Sequence, residues 1–201
     1  MSLNLVILIS GRGSNMQAIH QSILQKKLTA AISLVISDNP AAEGLVYAKK
    51  QQIPYAVVEK IPGESRIIFD QRLIQKIESV PVDIIALAGY MRILSKGFIE
   101  KFKNKIINIH PSLLPAFPGL HAQRQALEAK APYSGCTVHF VDEGCDTGPI
   151  IDQRKIEVLP NDTEKTLSER ILKQEHQLYS ACVQLIAEGR VKLEGKKVVL
   201  L

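Results

Sequence analysis

Ile107-Asn108-Ile109-His110 sets an amide and an imidazole at alternate positions of an apolar run. On an extended chain, period two turns Asn108 and His110 to one side and both isoleucines to the other. An amide beside an imidazole can stabilise a developing oxyanion while the ring transfers a proton. A histidine and an asparagine that simply finish a strand are the plainer reading. The stiff segment that follows, with Pro111, Pro115, Pro118 and Gly119, shifts the balance toward chemistry. Further on, Asp142-Glu143-Gly144-Cys145-Asp146-Thr147-Gly148-Pro149 is an acidic loop. One of its carboxylates could pair with His110 and favour the imidazolium. A solvated turn closed by Asx hydrogen bonds is the ordinary meaning of such a composition, and spacing does not decide between the two.

A second group of residues suits an anion. Gly11-Arg12-Gly13-Ser14-Asn15 follows an apolar run and opens a helical pattern. Glycines let backbone approach a ligand there, and the first-turn N–H groups with the helix dipole favour negative charge. A dinucleotide fingerprint needs a third small residue where this chain has Met16, although Asp38 stands roughly where a ribose-binding acid would. Phosphate binding and a plain tight turn remain equal readings of this motif. Glu175 falls on the apolar stripe Leu167, Ile171, Leu178, Cys182 and Leu185. An inward carboxylate needs a partner, whereas a carboxylate at a helix edge reaches water, and the pattern allows both. Cys182 reads as core. His20 reads as surface and His139 as a satisfied strand residue, while His121 and His176 flank the proposed site elements. No metal-ligand spacing occurs, so no metal is expected.

These groups need elements to hold them. Strands are expected at residues 4–10, 31–37, 55–58, 83–88 and 106–109, and helices at 15–26, 41–51, 64–77 and 95–102. The runs are continuous in Val, Ile and Leu, as in strands covered on both faces. Their alternation with helices predicts an α/β fold with an open, mostly parallel, Rossmann-like sheet and helices on both faces. After a loop at 111–119 we expect a short helix at 121–129 and strands at 135–141 and 150–158. A long helix at 164–188 follows, opened by a capping box Thr166-Leu167-Ser168-Glu169, and then a hairpin at 191–201. No linker or repeat interrupts the chain, so one domain over 1–201 is expected. The candidate anion-binding residues lie in its N-terminal half, and Asn108, His110 and the acidic loop in its C-terminal half.

Composition narrows the class. The 201 residues are 46% hydrophobic and 22% charged, enough for a core without staples. A net charge of +5 suits anionic small molecules as well as nucleic acid. Three cysteines with no CxxC pair argue against a disulfide framework. No apolar run approaches the ~18 residues of a membrane span, and the apolar start lacks the basic flank of a signal peptide. A soluble, cytoplasmic protein is expected, without a membrane or nucleic-acid partner.

Several stretches together resemble the phosphoribosylglycinamide formyltransferase family. They are Ile9-Ser10-Gly11-Arg12-Gly13-Ser14-Asn15 with Gln17-Ala18, then Ala88-Gly89-Tyr90-Met91-Arg92-Ile93-Leu94, then Asn108-Ile109-His110-Pro111-Ser112-Leu113-Leu114-Pro115 through Pro118-Gly119. Val138-His139-Phe140-Val141-Asp142 through Asp146-Thr147-Gly148-Pro149, and Gln174-Glu175-His176, complete the set in order. The resemblance implies direct transfer of a formyl group from 10-formyltetrahydrofolate, as co-substrate, to the amine of 5-phosphoribosylglycinamide, in purine biosynthesis, without a metal. It implies that Gly13, Ser14 and Asn15 bind the phosphate, with Glu175 at the ribose or glycinamide end. Arg66, Met91, Arg92, Ile93 and Leu94 would contact the folate, joined by Asn108, Asp142, Glu143, Gly144, Cys145 and Asp146. Asn108 would polarise the formyl carbonyl, His110 would serve the oxyanion, and Asp146 would support the charged ring. The resemblance leaves a monomer or homodimer equally open. A methionyl-tRNA formyltransferase would need room for a further C-terminal domain, and a formyltetrahydrofolate deformylase commonly carries an N-terminal one. The deformylase and a non-catalytic phosphoribosyl- or nucleotide-binding protein are the alternatives.

Overall fold

The computed structural model describes residues 2–201. Strand β1 (Leu3–Ile9), helix α1 (Ser14–Leu24), β2 (Ala30–Ser37), α2 (Glu43–Lys50), β3 (Tyr55–Val57), α3 (Arg66–Glu78), β4 (Ile84–Leu87) and α4 (Lys96–Lys101) come first. There follow β5 (Ile106–His110), α5 (Ala122–Glu128), β6 (Tyr133–Phe140), β7 (Ile150–Glu157), α6 (Glu164–Ala187), β8 (Val191–Glu194) and β9 (Lys197–Leu200). Each expected element is present, with ends moved by one or two residues. Seven strands form one sheet in the order β3-β2-β1-β4-β5-β6-β7, and β8 pairs with β9 separately. The expected α/β class with a mostly parallel sheet, a long C-terminal helix and a hairpin is what the chain adopts. Contacts divide the chain into two compact units, one ending at Ile107 and the other Asn108–Leu201.

In the first unit β1 pairs in parallel with β2 and with β4, and β2 with β3. Leu5, Val6, Ile7, Leu8 and Ile9 are all fully buried. That explains why β1 shows no alternation, because neither face meets water. Truncating one of these to Ala would remove packing worth about 2–5 kcal/mol. The strand order reverses between β1 and β4, and ligands of open α/β sheets bind at such a point, beyond the carboxyl ends of the strands. Helix α3 starts where the Ser65 hydroxyl accepts the Ile68 N–H, and it buries Phe69, Leu73 and Ile77. Asp70 on the same face is buried and accepts the Ser95 N–H at 2.6 Å, which fixes the start of α4.

In the second unit β6 and β7 are antiparallel, with an irregularity at Val138/His139: Val138 faces Asp152 and His139 faces Ile150. The skipped residue on β7 makes a bulge, and bulges re-aim side chains. Helix α6 packs on β6 and β7 through Leu167, Ile171, Leu178, Tyr179, Cys182 and Val183. Its start differs from expectation. Thr163 is the N-cap, its hydroxyl accepts the Thr166 N–H, and the Thr166 hydroxyl accepts the Thr163 N–H at 2.9 Å. The capping box therefore lies three residues before the one expected at Thr166–Glu169, because a threonine hydroxyl at the third helical position does what a glutamate was sought to do. Asp162, held by Arg170, steadies the same turn by accepting from Leu159 N–H and the Thr166 hydroxyl. Thr163→Ala should cost about 1 kcal/mol and lower Tm by about 2–4 °C in a thermal melt. Glu169→Ala should leave Tm unchanged, and the reverse order would restore the later box.

Candidate active site

At the switch point in the first unit, Ser10, Gly11, Arg12, Gly13, Ser14, Asn15, Ala88, Gly89 and Met91 line a cleft of about 260 Å³. That is just below the ordinary range for small-molecule sites. Gly13 caps α1 in the left-handed conformation (φ 68°), and no side chain caps this end. The first-turn N–H groups, which lack intrahelical acceptors, thus begin at the cleft wall. Two bonds tie the walls together, Ser10 N–H to the Gly89 carbonyl at 3.2 Å and Met91 N–H to the Ser10 hydroxyl at 2.9 Å. Behind the turn lies Gly44, the second residue of α2, whose N–H donates to the Gly11 carbonyl at 3.1 Å. A Cβ on Gly44 would stand 2.5 Å from Ile9 Cδ1 and 3.3 Å from Gly13 Cα. The close approach that a fingerprint would give to a small residue at position 16 is supplied here by Gly44, while Met16 is core. Only two small residues on either side of Glu43 in an otherwise helical stretch, Ala42 and Gly44, hinted at it.

The residues expected to meet folate in this unit divide into two kinds. Arg66 is exposed at the first position of α3. Met91 and Ile93 are exposed by 68% and 76%, leaving two apolar side chains at the surface two residues apart. Leu94 is buried. Arg92 turns inward, stacked 4.0 Å over the Phe69 ring and 4.0 Å from Asp38. Asp38 therefore faces Arg92. Tyr90 is buried beside them, and burial, reinforced by the Asp38 charge, pushes its hydroxyl well above the usual range.

In the second unit the end of β5 carries the amide and the ring. His110 is 5% exposed. Its Nε2 lies 2.9 Å from the Phe117 carbonyl, and its Nδ1 lies 3.4 Å from Asp146 Oδ2. Both partners can only accept, an arrangement that suits a ring protonated on both nitrogens. The same carboxylate oxygen accepts the Gly119 N–H at 2.8 Å, and the Cys145 thiol stands 3.6 Å away. Asp146 holds its place with φ 55°, in the left-handed region. The pairing of His110 with the acidic loop, open in the sequence, is thus present and is made by Asp146. Asp142 instead closes the loop, accepting the Gly144 N–H at 3.1 Å and the Thr147 hydroxyl at 2.7 Å. Glu143, Gly144 and Cys145 are exposed along its crest. Burial, then the Asp146 charge, pushes the Cys145 thiol upward.

His139 also belongs to this centre. It is 2% exposed, its Nδ1 lies 2.8 Å from the Phe140 carbonyl, and its Nε2 lies 3.3 Å from Asn108 Nδ2. Burial lowers its pKa, opposed by the Phe140 hydrogen bond and by Asp146. The strand position expected for it is correct, but the ring faces the site residues. The available signal was that Thr137 and His139 place two polar side chains on one face of an otherwise apolar strand. Thr137 uses that face to hold the 111–119 loop, donating to the Ser112 carbonyl at 2.7 Å and accepting the Leu114 N–H at 3.1 Å. Glu175 is 7% exposed, inward on α6, and the second reading, an exposed helix edge, falls away. Its charge helps push the buried Cys136 thiol up to about 12. His20 is half-buried rather than on the surface, its Nδ1 being 3.0 Å from the Tyr47 hydroxyl. His121 is exposed at the start of α5, and His176 is half-buried on α6. Among the described residues no group of three or more His, Cys, Asp or Glu could hold a metal ion, and no helix is long and apolar enough to cross a membrane.

The sequence pattern of the formyl transferase family matches residues 3–183. The chain belongs to the formyl transferase family. It is 40% identical to the phosphoribosylglycinamide formyltransferase of Escherichia coli over 95% of this chain and 90% of that protein. It is 46% identical over 92% of its length to the trifunctional purine biosynthetic protein adenosine-3 of Drosophila pseudoobscura, of which it spans about a seventh (14%). The crystal structure of glycinamide ribonucleotide transformylase 1 from Symbiobacterium toebii superposes with a TM-score of 0.97 at 44% identity, covering 100% of this chain and 94% of that one. A formyltetrahydrofolate deformylase from Pseudomonas syringae reaches a TM-score of 0.93 at 24% identity, with 66% of that chain covered, which is a likeness of fold alone. In this formyl transferase, Gly148 is what lets the acidic loop return beneath Phe140. A Cβ there would collide with the Phe140 carbonyl oxygen, and Phe140 N–H bonds the Pro149 carbonyl at 2.9 Å. Gly148→Ala should destabilise by about 1–3 kcal/mol, read as a lower denaturant midpoint with unchanged slope, whereas an unchanged midpoint would mean that the loop yields freely.

Proposed function

We propose that this formyl transferase transfers the formyl group of 10-formyltetrahydrofolate to the amine of 5-phosphoribosylglycinamide, giving 5-phosphoribosyl-N-formylglycinamide in purine biosynthesis. The observation that carries the reading is the joining of Asn108, His110 and Asp146 at the end of β5, by contacts of 2.8–3.7 Å through Gly119 and His139. It stands in a chain 40% identical to a protein named for this reaction. Identity to the deformylase is only 24%, so deformylation is the weaker fit.

In this reading the amine attacks unprotonated. A C–N bond forms, the formyl oxygen takes up negative charge, and collapse breaks the bond to the folate nitrogen, which leaves with a proton while the attacking nitrogen loses one. An N–H of Asn108 polarises the formyl oxygen. His110, held on Asp146 through Nδ1, offers Nε2–H, which exchanges the Phe117 carbonyl for the oxyanion as charge grows. Asp146 keeps the ring charged and oriented. Gly13, Ser14 and Asn15 take the substrate phosphate, and Glu175 takes the ribose or glycinamide end. Arg66, the 91–94 segment and the 142–146 loop serve the folate, with the backbone rather than the buried side chain of Leu94. The partners are small molecules, and neither nucleic acid nor a membrane enters the reading. Free Cys136, Cys145 and Cys182 are consistent with a reducing, cytoplasmic location, where the protein acts as one formyltransferase domain, as a monomer or homodimer.

An absorbance assay with 10-formyl-dideazafolate, with and without the ribonucleotide, tests this. Donor consumption should require the acceptor and fall about 10²- to 10³-fold in Asn108→Ala and in His110→Ala. Consumption without the acceptor would instead point to a deformylase, and none in a folded protein that binds phosphoribosyl compounds to a binding module. In the same assay Ser14→Ala should raise KM for the ribonucleotide several-fold with kcat nearly constant, the mark of a group that binds substrate and transition state alike. A fall in kcat alone would remove Ser14 from the phosphate site.

A further inference from the structure

We infer that His139 is a positioning residue for formyl transfer, its ring fixing which end of the Asn108 amide is presented to the formyl oxygen. The inference rests on the reading above and concerns a residue outside the Asn108, His110 and Asp146 set.

The Phe140 carbonyl, 2.8 Å from Nδ1, can only accept, so Nδ1 carries the proton. With the ring 2% exposed and its second protonation disfavoured by burial, Nε2 is left bare, an acceptor. The neighbour of Nε2 is the Asn108 side chain at 3.3 Å. An amide can meet a bare ring nitrogen only through its NH2 end, because its oxygen would set two lone pairs against each other. One N–H of Asn108 therefore points at His139, and amide planarity then sets the direction of the other. Asp146 Oδ1, 3.7 Å from Nε2, does not compete, since no proton lies between them, and the carboxylate draws its donors from Gly119, His110 and Cys145.

The fold commits structure to this geometry. The β6–β7 bulge falls between Val138 and His139. Phe140, whose carbonyl locks the ring, is itself pinned by its N–H to the Pro149 carbonyl at 2.9 Å. A ring that served only to fill space would need neither the lock nor a bare nitrogen directed at a side-chain amide.

The test uses the full chain. Wild type is first assayed with 10-formyl-dideazafolate and the ribonucleotide, so that a failure of the transferase reading shows at once and separately. In His139→Phe, which keeps a ring and removes the acceptor, kcat should fall about 10- to 100-fold, as for a misplaced reacting group, with both KM values within about threefold and the circular dichroism spectrum unchanged. His139→Gln, whose side-chain oxygen can accept, should recover part of the loss. Adding His139→Phe to Asn108→Ala should change kcat less than twofold, because the ring acts through the amide. A full additional loss in that double variant, or a wild-type kcat in His139→Phe, would overturn the inference. If His139→Phe does not fold, ring 15N shifts of the wild type at neutral pH decide. Protonation of Nδ1 alone is expected, and a proton on Nε2 refutes the proposal.

Discussion

The carboxylate of Asp146 is the tie that holds the end of β5, the 111–119 segment and the acidic loop together in the second unit. A single oxygen, Oδ2, receives the Gly119 N–H at 2.8 Å and faces His110 Nδ1 at 3.4 Å. The ring is buried, and the contact exists only because this residue is brought back to β5. That return is a matter of backbone rather than of side-chain chemistry. Gly148 passes beneath the Phe140 carbonyl, Asp142 closes the crest of the loop, and Asp146 takes a left-handed conformation. The strand and loop on either side are fastened to one another by Thr137, which serves Ser112 and Leu114 at once. Removing the carboxylate would therefore affect both the charge on the ring and the seating of the 111–119 segment through Gly119.

The two histidines at this centre differ in what surrounds them. His110 has an acceptor at each nitrogen, the Phe117 carbonyl on one side and the Asp146 carboxylate on the other. His139 has the Phe140 carbonyl at Nδ1 and the Asn108 amide at Nε2, and burial lowers its pKa. One residue type thus meets two unlike sets of partners a few ångströms apart, each set fixed in part by a backbone carbonyl.

How much of this could be read beforehand follows from the range of each interaction. The Asn108/His110 pair was legible because both its periodicity and its stiff sequel are local. The inward turn of Glu175 was half legible, since helical spacing places it on the stripe but only packing shows that the stripe reaches the interior at that point. The partner of His110 was not legible in the spacing and came only from the resemblance, because Asp146 is chosen over Asp142 by turn geometry. His139 is the satisfied strand residue expected, but its nearness to Asn108 was not legible, since it depends on pairing between strands distant in sequence and on a bulge that leaves no mark in composition. The cap of α6 was placed late because the search was for a glutamate where a threonine hydroxyl suffices. In the first unit the glycine turn was plain, but its support by Gly44 spans a strand and a connection, and no local pattern encodes it.

That support has a mechanical consequence. The turn lining the cleft at the end of β1 rests on the bare Cα of Gly44, with no side chain to cushion the contact. Its height is therefore set from behind, by a helix that contributes no residue to the lining of the cleft. A change of a single carbon atom at the rear would press on Ile9 and on the turn itself, so the calibre of this cleft is tuned from the side opposite its opening.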